Sequence, residues 1–325
     1  MTKLAVINPT SVSLLNAMFR SWRRAILYIG FVVIFIVFSI TLSDQGFLDP
    51  DNLLNIVRQT AMIAIMATAM TFVLAAREID LSIGSLAGLA SVVTAMTIHN
   101  YGVVPGVFAG VAVSLIFGLV NGFLTTRIGI PSFLTTLATM GIATGVSMWI
   151  SHTAAIPILS QGYAFVFGGG NIGPVPVLLI WMFVIGFAGH FSLKRSTFGR
   201  RVMATGGNET AARYSGINTA SIKARVLLLS SLSAGLAGML YAGRLQSGRF
   251  QFGVGDEMSV IAAAVLGGTG LLGGSGTVVG SIVGALMMGL INNGLLLLGL
   301  DYSQQLVARG VIIILAVALS QSNNR

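Results

Sequence analysis

The sequence predicts an all-α, polytopic membrane protein of about ten transmembrane helices. Three observations carry that reading. Of the 325 residues, 55% are hydrophobic and only 8% charged, and the mean hydropathy is +0.90, outside the range of soluble domains. Ten apolar segments approach the about 20 residues needed to cross a hydrocarbon layer about 30 Å thick. These segments are continuously apolar, not alternating, which excludes a transmembrane β-barrel. The 41 glycines suit helices packed closely inside a membrane.

Taken in order, the segments are 25–42, 53–76, 82–98, 102–125, 132–151, 175–193, 222–243, 258–272, 277–298 and 303–320, the third and eighth being the shortest. Arg20, Arg23 and Arg24 precede the first, as in a signal peptide. No small-residue cleavage site closes the run, so it reads as an uncleaved first helix. Residues 11–24 read either as a basic amphipathic helix on the cytoplasmic face or as a plain tail. The chain therefore divides into an N-terminal cytoplasmic segment 1–24, one transmembrane domain 25–320 and a cytoplasmic tail 321–325. There is no cysteine, so disulfides and cysteine metal sites are excluded.

Charge orients the bundle. With ten spans and both termini inside, fourteen of the eighteen Lys and Arg residues face the cytoplasm, and six of the nine acids face outward. That is the positive-inside pattern. The net charge of +9 then reflects topology and anionic lipid, with no role for nucleic acid.

Two spans carry an internal echo. Asp80-Leu81-Ser82 opens the third and Glu257-Met258-Ser259 the eighth; Gly118-Leu119-Val120-Asn121-Gly122 in the fourth is echoed by Gly289-Leu290-Ile291-Asn292-Asn293-Gly294 in the ninth. The offset is five spans, so the related units are either an inverted repeat of two five-helix halves or a chance echo of short apolar motifs. Glycines 84 and 88 mark the third span as interrupted, and Gly267, Gly268 and Gly270 mark the eighth. Paired interrupted spans point to a substrate path in transporters. The pathway candidates are Asp80, Ser82, Ser85, Asn121, Ser259, Asn292 and Asn293. Each has a plainer reading: Asp80 and Ser82 as helix caps, the asparagines as helix–helix hydrogen-bonding groups.

Several chemistries fail. The stretch GGTGLLGGSGTVVG at 267–280 lacks the Lys of a phosphate-binding loop and reads as a tight turn with close helix contact. His99, His152 and His190 are scattered without a second ligand, so no metal site is expected. No catalytic cluster stands out. Arg58 and Arg309 sit near span ends, where snorkelling to the interface accounts for them.

One long polar loop remains, at 194–225, with seven of the eighteen cations and a single acid, Glu209. Gly206-Gly207-Asn208 reads as a turn, and 209–215 as a short helix closed by Gly216. It is either a lever for a soluble motor or a basic loop on anionic lipid.

Four stretches also carry a resemblance: IDLSIGS at 79–85, IPSFLTTLATM at 130–140, TFGRRVMATGGNETAARYSGI at 197–217 and DEMSVIAAAVLGGTGLLGGSGTVVG at 256–280. With them, residues 47–318 resemble the permease subunits of bacterial ABC importers for monosaccharides, the ribose-type branch of a family that includes branched-chain amino-acid permeases. One departure stands: Arg77-Glu78 occupies positions where members often carry Gly-Gly.

The resemblance implies the partners: a second permease copy or a related permease, a cytoplasmic ABC ATPase with two fused domains, and a periplasmic sugar-binding protein, in the bacterial inner membrane. ATP and Mg would be bound by that ATPase, with no cofactor in this chain. It also implies that the loop is the coupling element, with matched positions Gly199, Gly206, Gly207, Asn208, Glu209, Ala211, Ala212, Arg213 and Gly216. The expected function is inward movement of a ribose-like pentose or a hexose. The alternatives are another small polar solute, or an ion-coupled carrier, whose buried ion-site carboxylates and histidines are sparse here.

Overall fold

A computed structural model describes residues 27–301, 303–308, 310, 311 and 314. Residues 11–24, Arg309 and the tail 321–325, which carry expectations above, lie outside the described residues. The described residues are all-α apart from two minimal two-stranded pairings, and the protein is a polytopic membrane protein. Among the described residues, seven helices are long and apolar enough to cross a membrane. They are α2 (Pro50–Ala75), α3 (Ile83–Tyr101), α4 (Val103–Phe123, prolonged by a wider turn to Ile128), α5 (Ser132–Ser151), α7 (Val177–Arg195), α10 (Thr219–Arg244) and α12 (Val278–Leu297). The first predicted span appears as α1 (Leu27–Thr41), and helix resumes after residue 302 where the tenth was expected. A short α6 (Gln161–Ala164) lies between α5 and α7.

Helix α2 is the hub. Every residue from Thr60 to Ala75 is buried, which is why the helix is apolar all round instead of on one stripe. Outside it, α4, α5 and α7 turn large apolar side chains outward, such as Phe108, Trp149, Phe183 and Phe187, as lipid-facing helices do. Helix α10 lies across α3 and α4 through small residues, with Gly235 against Ser114 and Gly238 against Ala87.

Two stretches inside the bundle are not helical. Residues 76–82 separate α2 from α3, and 245–255 separate α10 from α11 (Asp256–Leu266). With 11 residues at about 1.5 Å each, α11 covers about half the hydrocarbon layer, as expected for the eighth span. The third span is different from expectation. Helix α3 runs unbroken for 19 residues, and Gly84 and Gly88 lie inside it. They do not break the helix; they admit a neighbour. A Cβ on Gly88 would lie 2.6 Å from the Phe250 carbonyl oxygen, and one on Gly84 would overlap the Gly253 carbonyl. Ser91, three residues on, donates to the Arg249 carbonyl at 3.0 Å and accepts from its N–H at 3.2 Å. Residues 248–253 thus lie along one face of α3.

The other irregular stretch is held by α5. Ser132 Oγ accepts from Ile79 N–H at 3.1 Å, and Thr136 Oγ1 accepts from Leu81 N–H at 3.0 Å. Hydroxyls on α5 therefore replace the helical partners that 79–81 lack.

Candidate coupling loop and solute path

The polar loop folds into two helices, α8 (Thr197–Gly207) and α9 (Glu209–Tyr214). Ser196 caps α8 by accepting from Gly199 N–H at 3.1 Å, and Asn208 caps α9 by accepting from Ala211 N–H at 3.0 Å. Gly216 follows with φ +80°, a conformation open to glycine. The expected turn at 206–208 is therefore tighter than read: Gly206 and Gly207 are the last residues of α8, and Asn208 alone links the helices.

The predicted coupling residues separate by exposure. Gly207, Asn208, Ala211, Arg213 and Gly216 face outward, with Glu209 half-buried, whereas Gly199, Gly206 and Ala212 are buried. Gly199 fits under the Leu193 and Ser192 carbonyls at the α7–α8 corner. Gly206 presses on the carbonyl of Ala75, the last residue of α2, and sits 2.8 Å (as a Cβ) from Gly274 N. Gly274 N–H in turn donates to that same Ala75 carbonyl at 2.9 Å. The end of α8 thus touches α2 and the glycine-rich turn 267–277 together. That turn has positive φ at Gly268, Gly273 and Gly274, in line with the tight-turn reading. Tyr214, within the matched run 206–216 but not singled out by the sequence, is 89% exposed at the end of α9. A lone Tyr in a polar loop gives no signal until its burial is known.

Six of the seven loop cations are exposed; Lys223 is engaged. Its Nζ lies 2.8 Å from Glu209 and 2.8 Å from Glu78. Glu209 also accepts from Arg213 at 3.0 Å and Thr219 at 3.2 Å. The Lys223 hydrogen bond is the main cause holding the Glu209 carboxyl below its ordinary pKa, against the opposing effect of partial burial. The pair is therefore ionised at neutral pH, and its contribution is lost only as pH falls through that depressed value.

The departure at Arg77-Glu78 has a geometric counterpart. Arg77 adopts φ +65°, in the left-handed region, so the turn forms with an arginine where glycine would be unstrained. Beyond it, Asp80 Oδ1 accepts from Ser82 N–H at 2.9 Å and from Ser82 Oγ at 2.6 Å. Ser82 Oγ accepts from Asn121 Nδ2 at 3.1 Å, and Asn121 Oδ1 accepts from Thr139 at 2.8 Å. Asp80, Ser82 and Asn121 are fully buried in this chain of bonds, which ties the start of α3 to α4 and α5; Ser85 is buried one turn on. Asn121 bonds between helices as its plainer reading has it, whereas Ser82 makes no side-chain cap bond to α3 and instead links Asp80 to Asn121.

The remaining pathway candidates lie elsewhere. Asn293 exchanges two hydrogen bonds with Asn52, at 2.8 and 3.1 Å, and Ser259 is buried in α11. Asn292 alone lines a cavity, of about 210 Å3, with Gln59, Thr60, Ile63, Tyr241, Arg244, Asp256 and Gly289. The cavity takes the last turns of α10, the start of α11 and the middle of α2. Tyr241 donates to Asp256 there at 2.6 Å. Arg58, read as snorkelling, donates to Asn171 at 3.2 Å. The three histidines stand apart, and no group of three or more His, Asp or Glu among the described residues is placed to hold a metal ion.

A bundle of membrane-length helices, with two non-helical stretches inside it and a structured polar loop at one end, defines a membrane transport component. The family model for the branched-chain amino acid transport system / permease component matches residues 52–317. The chain is 37% identical over 299 residues to the ribose import permease protein RbsC of Bacillus subtilis (strain 168), covering 91% of this chain and 92% of that protein. It is 38% identical over 292 residues to RbsC of Escherichia coli (strain K12), 88% and 90% of the two chains. It is 36% identical over 301 residues to the L-arabinose ABC transporter permease protein AraH of Azospirillum brasilense, 92% and 88%. No solved structure matches significantly. The chain belongs to this permease family, in its bacterial sugar-type ABC branch, and is a permease, not an ATPase.

Proposed function

We propose that this chain carries a monosaccharide, a ribose-like pentose or a hexose, into the cytoplasm across the bacterial inner membrane. Relatives named for ribose, L-arabinose and D-allose support the substrate class. Family membership implies the assembly: a second permease copy or a related one, an ATPase with two fused domains, and a periplasmic sugar-binding protein. The ATPase docks on 194–225, with ATP and Mg held in that subunit. Both termini are cytoplasmic, and 25–320 forms one domain of ten spans.

The observation that carries this reading is the position of α8–α9. It presents exposed cations and Tyr214 outward, while its buried side touches the end of α2 and the turn at 273–274. Those contacts lead to the two spans whose helices are preceded by non-helical chain, so a push on the loop reaches both. ATP-driven closure of the motor thereby rocks the two permeases between outward and inward openings.

The two halves form an inverted repeat. In support, Asn121 of the fourth span meets Ser82 at the start of α3, and Asn292 of the ninth shares a cavity with Asp256 at the start of α11. That cavity is the polar station of the path, with amide, hydroxyl and charged groups for a neutral polyol; its size suits one small ring rather than a drug-sized ligand, whose pockets span about 300–1,000 Å3. Asp80, Ser82, Ser85, Asn121, Ser259 and Asn293 belong to the path outside that cavity.

The test is uptake of labelled ribose, arabinose and allose by cells expressing the chain with its binding protein and ATPase. Saturable uptake of at least one is expected. Uptake of a branched-chain amino acid with none of these sugars would overturn the substrate assignment.

A further inference from the structure

Glu209 and Glu78 share no helix and stand far apart in sequence, yet both close on Lys223. Arg213, Glu209, Lys223 and Glu78 form a row of alternating charge, with consecutive contacts at 3.0, 2.8 and 2.8 Å. The row begins on the exposed loop, where the Arg213 side chain is 71% accessible, and ends inside the bundle, where that of Glu78 is 7% accessible. Glu78 lies two residues before Asp80, whose bonds to Ser82 define the start of α3. Its neighbours Ile79 and Leu81 hang on α5 hydroxyls and not on a helical ladder. On the α3 side a displacement of Glu78 therefore meets side-chain hydrogen bonds, and on the α2 side the bond from its own N–H to the Val73 carbonyl at 3.0 Å.

From this geometry we infer that Lys223 is a positioning residue, a charged latch that fixes the non-helical 76–82 segment to the coupling loop and makes the start of α3 follow α9. The inference rests on the coupling role given above to the loop. Lys223 suits the task because its ammonium is a point charge on a flexible stem, able to hold two carboxylates that approach from different elements. Lys223 stands in the first turns of α10; neutralising it removes the cation paired with the nearly enclosed Glu78 carboxylate, and neutralising Glu209 releases the ammonium from α9. Either change disconnects the same two elements. The contact of Gly206 with Ala75 is a separate tie to the end of α2, and is steric instead of charged.

The chain has no cysteine, so a single thiol introduced by Ile79→Cys reports on the segment without background. Its labelling rate by a membrane-permeant maleimide is measured with the full-length permease in membranes and no ATPase present. Glu209→Gln and Lys223→Met should each raise that rate several-fold, and the two together should raise it no further than Lys223→Met alone. Thr210→Ala, an exposed change on the same helix outside the row, is the control and should leave the rate unchanged. An unaltered rate in Glu209→Gln, or independent effects that multiply in the double variant, overturns the latch. Retention of the ATPase by the unlabelled wild-type permease is scored separately, so a failed docking role and a failed latch give different results.

Discussion

Replacing Gly88 with Val should leave little of this permease folded in the membrane. On α3, Gly84, Gly88, Ser91 and Ala95 recur at intervals of four, three and four, and so share one face. The backbone of 248–253 occupies that face. A Cβ at position 88 lies 2.6 Å from the Phe250 carbonyl oxygen and 2.8 Å from that of Phe252. Both obstacles are backbone atoms, so no side chain can swing aside. The segment must lift, stretching the two Ser91 bonds to Arg249.

Overpacking of this kind costs about 1–3 kcal/mol or more, and each weakened hydrogen bond adds about 0.5–1.5 kcal/mol. Against a typical margin of about 5–15 kcal/mol, that is a large fraction. The recovered protein should fall several-fold and its thermal transition should drop, with Gly88→Ala intermediate. Wild-type yield and melting in Gly88→Val would show that 248–253 does not pack on α3.

The second large effect belongs to the loop and should spare the fold. Ala211 and Tyr214 are both exposed on α9, and neither holds the bundle together. Ala211→Arg with Tyr214→Ala adds bulk and removes the one large exposed ring of that helix. Interface hot spots are enriched in Tyr, and truncating one costs about 2 kcal/mol or more. Since about 1.4 kcal/mol is tenfold in affinity, binding of the ATPase should weaken at least tenfold. The melting profile should stay unchanged. Gly206→Val cannot serve here, because its Cβ would overlap the Ala75 carbonyl and disturb α2 itself. Wild-type retention of the ATPase by the double variant would move the docking surface off α9.

Much of this was legible in the sequence because membranes impose simple rules. Apolar length gave the long helices, and Gly216 marked the end of the short helix in the loop through turn chemistry that is local; Asn208, read as part of a turn, proves to be that helix's N-cap. The glycines of α3 misled because composition cannot distinguish a glycine that breaks a helix from one that admits a neighbouring backbone. The partner segment, 248–253, lies far along the chain. The same distance hid the Glu78–Lys223–Glu209 row and the Asn52–Asn293 pair. It also hid the cavity, which draws on four helices. In 130–140 the sequence offered a motif without a reason; the reason is that Ser132, Thr136 and Thr139 hydrogen-bond the 79–81 backbone and Asn121.

The central claim is that energy enters this permease through the 194–225 loop from an ATPase. It is tested most directly by sugar uptake in cells that carry the chain and its binding protein but lack the cytoplasmic ATPase, with the proton-motive force intact. Uptake should fall to background and return when the ATPase gene is restored. Uptake that persists without the ATPase and collapses on adding a proton ionophore would contradict it, and would make the chain an ion-coupled carrier.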